Sequence, residues 1–279
     1  MTTDTFSNAQ SDTPLRRFQD QYPARKVETE GGTWSFRDTD PGSKRIPIVM
    51  LPGAGGTGDV FYRAVDGIRT SRRVITVAYP ALPDVEALTS GLGGALSNID
   101  IGELDVCGSS VGGYLAQLFV HKTPERVRLC MVCNSFLDGA FLREKILRDK
   151  LLNTPASEHL QNTLRQLGGL REETIEEADF KRTMLALVGH EQTAEMAKAT
   201  LLAALGATQI GLMPLLPSHV AILDTEDDPV VDESTRVSVR GRYAGSPQYR
   251  LRTGGHYPAL LNPTAFTQAL QAHFAEERQ

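Results

Sequence analysis

The chain has 279 residues, enough to bury one large core, or one core with an inserted subdomain, without help from disulfides. Its formal net charge of −5 is spread over interspersed acids and bases, with no basic stripe to neutralise phosphates, so nucleic acid is not an expected partner. No apolar run approaches the roughly 18 residues that span a bilayer, and the polar start "MTTDTFSNAQSDTP" has no leader pattern, so the chain reads as cytoplasmic.

Residues 1–20 are expected to be a flexible start. "ARKVETEGGTWSFRD" then alternates and turns at Gly31-Gly32, which predicts an antiparallel hairpin at a sheet edge. Short β-rich runs follow at 46–51, 73–79, 103–108 and 127–134, separated by helical stretches, and this alternation implies a mainly parallel sheet with helices on both faces. From about Phe136 to Met213 the strand signal disappears and apolar residues recur at helical spacing, as in Leu160, Leu164 and Leu167. The α/β pattern resumes with "SHVAIL" (218–223), a helix near 230–243, the strand "QYRLR" (248–252) and a last helix from about Pro263 to Ala275. The expected organisation is an α/β core of 21–135 and 214–279 carrying a helical cap at 136–213.

Cys107, Cys130 and Cys133 lie in or beside strand-like runs and are expected to be buried and unreactive. Cys130 and Cys133 form one C-x-x-C, but no second pair completes a metal set, and residues three apart on a strand point to opposite faces. No metal and no cofactor are implied.

The stretch "LPGAGGTGDV" (51–60) follows an apolar strand and admits two readings. Gly53, Gly55 and Gly58 spell the G-x-G-x-x-G of a dinucleotide site, or the run is a loop whose backbone N–H groups face an oxyanion. The first reading needs an acid near the end of the next strand to hold a ribose, and Tyr79-Pro80 stands there instead. The oxyanion reading pairs the N–H of Ala54, or alternatively Gly55, with that of Val111.

Gly108-Ser109-Ser110-Val111-Gly112 is G-x-S-x-G between a strand and a helix, a turn so tight that only very small residues fit two before and two after its centre. Ser110 is the candidate nucleophile, and a serine needs a base to take its proton. Of six histidines, His121, His159, His190, His219 and His273 fall in segments where a packed or solvated role suffices. His256 in "RLRTGGHYPALL" instead follows the last strand on a glycine pair. The acid is sought in "DTEDDPVVD" after the preceding strand, with Asp228 first, Asp227 close behind and Asp138 a weaker alternative.

The stretches "GTGDVFYR", "SVGGYLAQLF", "CNSFLD" and "TGGHYPALL" resemble the α/β-hydrolase superfamily, and within it maspardin and its relatives, from about Val27 to Phe274. The resemblance implies an eight-stranded hydrolase sheet with a helical cap and supports Ser110 as nucleophile. It also raises the prospect of a binding or adaptor protein without turnover. His256, where maspardin carries asparagine, and the acid loop "TEDDPVV" depart from that group toward catalysis.

The expectation is therefore a cofactor-independent serine hydrolase acting on a small-molecule ester, thioester or related acyl substrate through Ser110, Asp228 and His256. A non-catalytic adaptor, or lyase or cyclase chemistry on the same scaffold, are the competing readings. A homodimer is compatible with the sequence.

Overall fold

The structure, a computed structural model, describes residues 13–188 and 193–275, so residues 1–12 of the expected flexible start, and His190, lie outside the described residues. The chain opens with α1 (Pro14–Gln21), then the hairpin β1 (Arg25–Thr29) and β2 (Gly32–Asp38), β3 (Ile48–Leu51), α2 (Tyr62–Ile68), β4 (Val74–Ala78), α3 (Val85–Ser97), β5 (Leu104–Ser109), α4 (Val111–Lys122) and β6 (Val127–Cys133). Among the described residues, five α-helices follow without a strand: α5 (Ala140–Lys145), α6 (Arg148–Asn153), α7 (Ala156–Gly168), α8 (Ile175–Ala186) and α9 (Ala194–Gly206). The chain then returns through β7 (Val220–Thr225), α10 (Glu233–Arg242), β8 (Gln248–Leu251), α11 (Pro258–Leu261) and α12 (Pro263–His273).

The eight strands form one sheet in the order β1-β2-β4-β3-β5-β6-β7-β8. β1 pairs antiparallel with β2, Val27 opposite Trp34, and β2 antiparallel with β4, while every later neighbouring pair is parallel. Parallel strands are covered on both faces, so they read as unbroken apolar runs, and every residue of β3 and β7 is buried. Alternation along β3 divides the interior. Val49 and Leu51 join Trp34, Leu88, Tyr114 and Phe119 on one face, whereas Ile48 and Met50 join Phe18, Phe61, Phe266 and Phe274 on the other. Cys130 and Cys133 fall in these opposite cores for the same reason, and all three cysteines are buried thiols. Burial pushes the Cys130 and Cys133 thiols well above their ordinary range, which keeps them protonated.

The expectation of a flexible start extending to residue 20 is corrected by α1. Thr13 caps the helix by accepting the Arg16 N–H at 3.1 Å, Pro14 presets its first turn, and Leu15 and Phe18 are buried against the second core. Arg37 ties the helix to β2 by donating to the carbonyls of Gln19 and Tyr22 and pairing with the buried Asp59 at 2.8 Å, which also accepts from Gln19. Among the described residues no helix is long and apolar enough to cross a membrane.

Candidate active site

Because β3, β5, β6, β7 and β8 are mutually parallel, the loops that follow them emerge at one edge of the sheet. The glycine loop follows β3, Ser110 follows β5, the acid loop follows β7, and His256 follows β8. The order β4-β3-β5 makes the gap between β3 and β5 the point where the chain changes direction of travel across the sheet, which is where open α/β sheets form a crevice.

Ser110 sits between β5 and α4 with φ +56 and ψ −121, a left-handed conformation that a serine adopts only under constraint. The constraint is close packing of backbone on backbone. A Cβ at Gly108 would lie 2.0 Å from the Gly112 carbonyl oxygen, and one at Gly112 would lie 2.1 Å from that of Leu51, so the two flanking glycines are required by space. The Ser110 amide donates to the Cys133 carbonyl at 2.9 Å and Ser135 Oγ donates to the Ser110 carbonyl at 2.7 Å, pinning the turn from β6. As the first residue of α4, Val111 has an N–H with no acceptor inside the helix.

The glycine loop abuts this turn, since a Cβ at Gly53 would lie 3.1 Å from Ser110 Cβ. Gly53 to Gly56 close a turn through the Gly56 N–H to Gly53 carbonyl bond of 2.9 Å, which places Ala54 and Gly55 at its centre. Tyr79, standing where a ribose-binding acid would have been, donates its buried hydroxyl to the Pro52 carbonyl at 2.8 Å and so props the loop. Gly58 packs on the backbone of Val77, where a Cβ would come within 2.6 Å.

The two adjacent aspartates separate cleanly. Asp228, with its side chain fully buried, faces the His256 ring, Nδ1 lying 2.9 Å from Oδ2 and 3.1 Å from Oδ1. Its Oδ1 also accepts the amides of Val230 and Val231 at 2.8 and 3.1 Å. Asp227 turns to the backbone instead, accepting the amides of Gly254 and Gly255. Because an ionised carboxylate can only accept, a neutral His256 ring in this contact carries its proton on Nδ1 and leaves its lone pair on Nε2. Among the described residues no hydrogen bond joins Ser110 Oγ to the imidazole.

The remaining acids have local roles. Asp138 accepts the Ala140 amide at the start of α5 at 2.6 Å and lies 3.9 Å from Arg143, and among the described residues no hydrogen bond joins it to His256, so the geometry does not favour it as the acid. Asp224 pairs with Arg240, Glu226 lies 3.5 Å from Arg250, and Asp232 caps α10. Of the other described histidines, His121, His159 and His219 are at least partly exposed, and His273 is buried with Nε2 3.1 Å from the Cys130 carbonyl. The helices between β6 and β7 reach the site from above. Phe180 of α8 packs on Tyr257 with ring centroids 5.4 Å apart, and Met196 of α9 closes on Gly56, where a Cβ would lie 2.8 Å from its sulfur.

Several solved structures share this architecture. A hydrolase from Pseudomonas aeruginosa superposes with a TM-score of 0.72 at 14% identity, covering 91% of this chain and 99% of that one. An enol-lactonase from Burkholderia xenovorans gives 0.71 at 15%, covering 90% and 100%, and an esterase from Thermogutta terrifontis 0.71 at 17%, covering 89% and 97%. No family model matches the sequence. Human maspardin is 26% identical over 268 residues, covering 93% of this chain and 85% of maspardin, and zebrafish (Danio rerio) maspardin is 24% identical over the same span. The chain is an α/β-hydrolase-fold homologue of maspardin.

Within this maspardin homologue, several residues that frame the site carry no motif of their own. Arg236, buried in α10, donates to the carbonyls of Val231 (2.5 Å), Asp228 (3.3 Å) and Glu226 (3.3 Å), so one guanidinium holds the whole acid loop. Asn134 and Thr225 grip the carbonyl of Gly255. Nothing in the sequence singles them out, since α10 carries Arg236, Arg240 and Arg242 alike and Asn134 and Thr225 lie far apart in the chain. A cavity of about 770 Å³ lies at the opposite edge of the sheet, beside Pro47 and Glu103, which precede β3 and β5, and so does not adjoin Ser110.

Proposed function

We propose that the chain is a cofactor-independent serine hydrolase that cleaves an ester, thioester or related acyl bond of a small molecule through an acyl-enzyme. The observation that carries this reading is the buried Asp228–His256 pair, found with the strained Ser110 turn at one sheet edge. Ser110 Oγ attacks the acyl carbonyl carbon, and His256 Nε2 takes the hydroxyl proton as the C–O bond forms. Asp228 holds the ring in the tautomer that can accept this proton and balances the imidazolium that results. The same proton then passes to the leaving group as its bond to the acyl carbon breaks. Water, deprotonated by His256, attacks the acyl carbon; the bond to Ser110 Oγ then breaks, the carboxylic acid leaves, and His256 returns the proton to Oγ.

The amides of Val111 and Ala54 are the proposed oxyanion donors, with Gly55 as the alternative to Ala54; each such donor is worth about 3 kcal/mol in the transition state. The helices at 136–213 act as a cap whose Phe180 and Met196 give the site an apolar roof. That apolar character favours an acyl group over a charged substrate.

A second reading, a binding or adaptor protein without turnover, is favoured by the resemblance to maspardin over 93% of the chain. The test is hydrolysis of a short-chain p-nitrophenyl ester by wild type and Ser110→Ala. The hydrolase reading expects turnover that falls at least about a thousandfold in the variant. Full hydrolysis by Ser110→Ala removes Ser110 as nucleophile, and no turnover in either protein supports the adaptor reading.

A further inference from the structure

The backbone just before His256 is held from outside its own loop. The Gly255 carbonyl accepts from Asn134 Nδ2 at 3.0 Å and from Thr225 Oγ1 at 2.5 Å. The amides of Gly254 and Gly255 donate to the Asp227 carboxylate at 3.2 and 2.8 Å. Both polar groups of Gly255 are thus occupied by side chains from the ends of β6 and β7 and the loop after β7. Without such a grip this would be the least constrained part of the loop, because Gly254 and Gly255 take φ values of +141 and +52 that glycine visits freely.

The two gripping side chains are themselves locked together. The Thr225 amide donates to Asn134 Oδ1 at 2.9 Å, Asn134 Nδ2 donates to Thr225 Oγ1 at 3.2 Å, and the Asn134 amide donates to the Leu223 carbonyl at 2.9 Å. Both residues are buried, and Asn134 has a left-handed backbone with φ +40. Buried amides cost free energy unless every polar atom is used, and here both ends of the amide are used. The neighbours of Asn134 complete the pattern, because the Cys133 carbonyl and the Ser135 hydroxyl hold Ser110 from either side. One three-residue segment therefore touches the nucleophile turn with its flanks and the histidine loop with its centre.

We infer that Asn134 and Thr225 are positioning residues for His256, fixing the Gly255 carbonyl so that the imidazole stays on Asp228 in register with Ser110. The inference rests on the proposed role of His256 as the base. A part that merely closed the sheet end would affect folding stability and leave the imidazole–carboxylate contact alone.

Thr225→Val keeps the shape of the side chain and deletes the donor, Thr225→Ser restores the hydroxyl, and Asn134→Gly deletes the amide while accepting the left-handed backbone. The readouts are the low-field Nδ1–H proton resonance of His256, assigned by its loss in His256→Asn, and the rate of fluorophosphonate labelling. Thr225→Val and Asn134→Gly are expected to broaden or lose the resonance and to label about tenfold to a hundredfold more slowly, as for a reacting group displaced by about 1 Å, with Thr225→Ser close to wild type. If Asn134→Gly does not fold, the Thr225 pair decides alone. A resonance and labelling rate unchanged in Thr225→Val overturn the inference. A resonance present in wild type and lost in Thr225→Val, with no labelling of any protein, supports the clamp and removes the hydrolase reading.

Discussion

Replacing Asp228 with asparagine changes one oxygen to an amide nitrogen, and the partners of the carboxylate decide which one. Oδ1 accepts two backbone amides, from Val230 at 2.8 Å and Val231 at 3.1 Å, so the oxygen of the new amide must stay there. The NH2 group then occupies the place of Oδ2, 2.9 Å from His256 Nδ1, and becomes a donor to the ring. Nδ1 can accept that bond only by giving up its proton, which moves to Nε2 and leaves no lone pair for the serine proton. The expected loss is about 10⁴-fold in kcat, equivalent to about 5 kcal/mol of transition-state stabilisation, with folding stability changed by about 1 kcal/mol because both backbone amides keep their acceptor. In Asp227→Asn the two oxygens serve one amide each, so one N–H must face the new NH2 group whichever way it turns. One charge-assisted bond is lost, a cost of about 1.5–3 kcal/mol that falls on loop position, and kcat should drop only about tenfold. Steady-state hydrolysis of a p-nitrophenyl ester, with thermal unfolding in parallel, measures both. Asp228→Asn retaining a tenth or more of wild-type kcat, or Asp227→Asn proving the more damaging, would refute the reasoning.

Gly112→Ala puts a methyl 2.1 Å from the Leu51 carbonyl oxygen and 2.4 Å from that of Pro52, so either β3 or α4 must move. A loss of at least about 2 kcal/mol and a fall of about 5 °C in Tm are expected by calorimetry, with turnover impaired through the adjoining glycine loop; an unchanged Tm would mean the turn is looser than described. Ser109→Ala, one residue from the proposed nucleophile, should keep most activity, and a loss matching that of Ser110→Ala would mean the wrong serine has been assigned. His273 is held neutral by burial, which lowers its pKa below the unfolded value of about 6.5, so the unfolded chain binds the extra proton first. Its contribution to stability is complete above that value and is lost as pH falls below it toward the folded pKa. Urea midpoints at about pH 7.5 and 5.5 should show wild type losing more stability on acidification than His273→Gln, and equal losses would contradict this account.

The parts of the fold legible in the sequence are those written in local pattern. The buried parallel strands appear as apolar runs, the edge hairpin as alternation around Gly31-Gly32, and the nucleophile turn as two glycines at the spacing that backbone collision demands. The helix α1 was also legible, since Leu15, Phe18 and Tyr22 recur at helical spacing after a Thr13-Pro14 start, but the polar residues around them obscure the stripe. The choice between Asp227 and Asp228 was not. Successive residues in a turn point different ways, and which one meets the ring is set by Arg236 and by the amides of Val230 and Val231. Asn134 and Thr225 are 91 positions apart and become partners only when β6 and β7 pair, so no window of sequence contains the contact. Asp138, the weaker alternative, is taken up locally, its carboxylate accepting the Ala140 amide at the start of α5.

The account turns on Ser110 being activated by His256, and covalent labelling tests that link directly. Wild type, Ser110→Ala and His256→Asn are treated with a fluorophosphonate probe, digested, and mapped by mass spectrometry. The account predicts one phosphonylated site, Ser110, in wild type, no label in Ser110→Ala, and labelling slowed by at least about a thousandfold in His256→Asn, which lacks a base. An unlabelled wild type, label on a residue other than Ser110, or His256→Asn labelled as fast as wild type would contradict it.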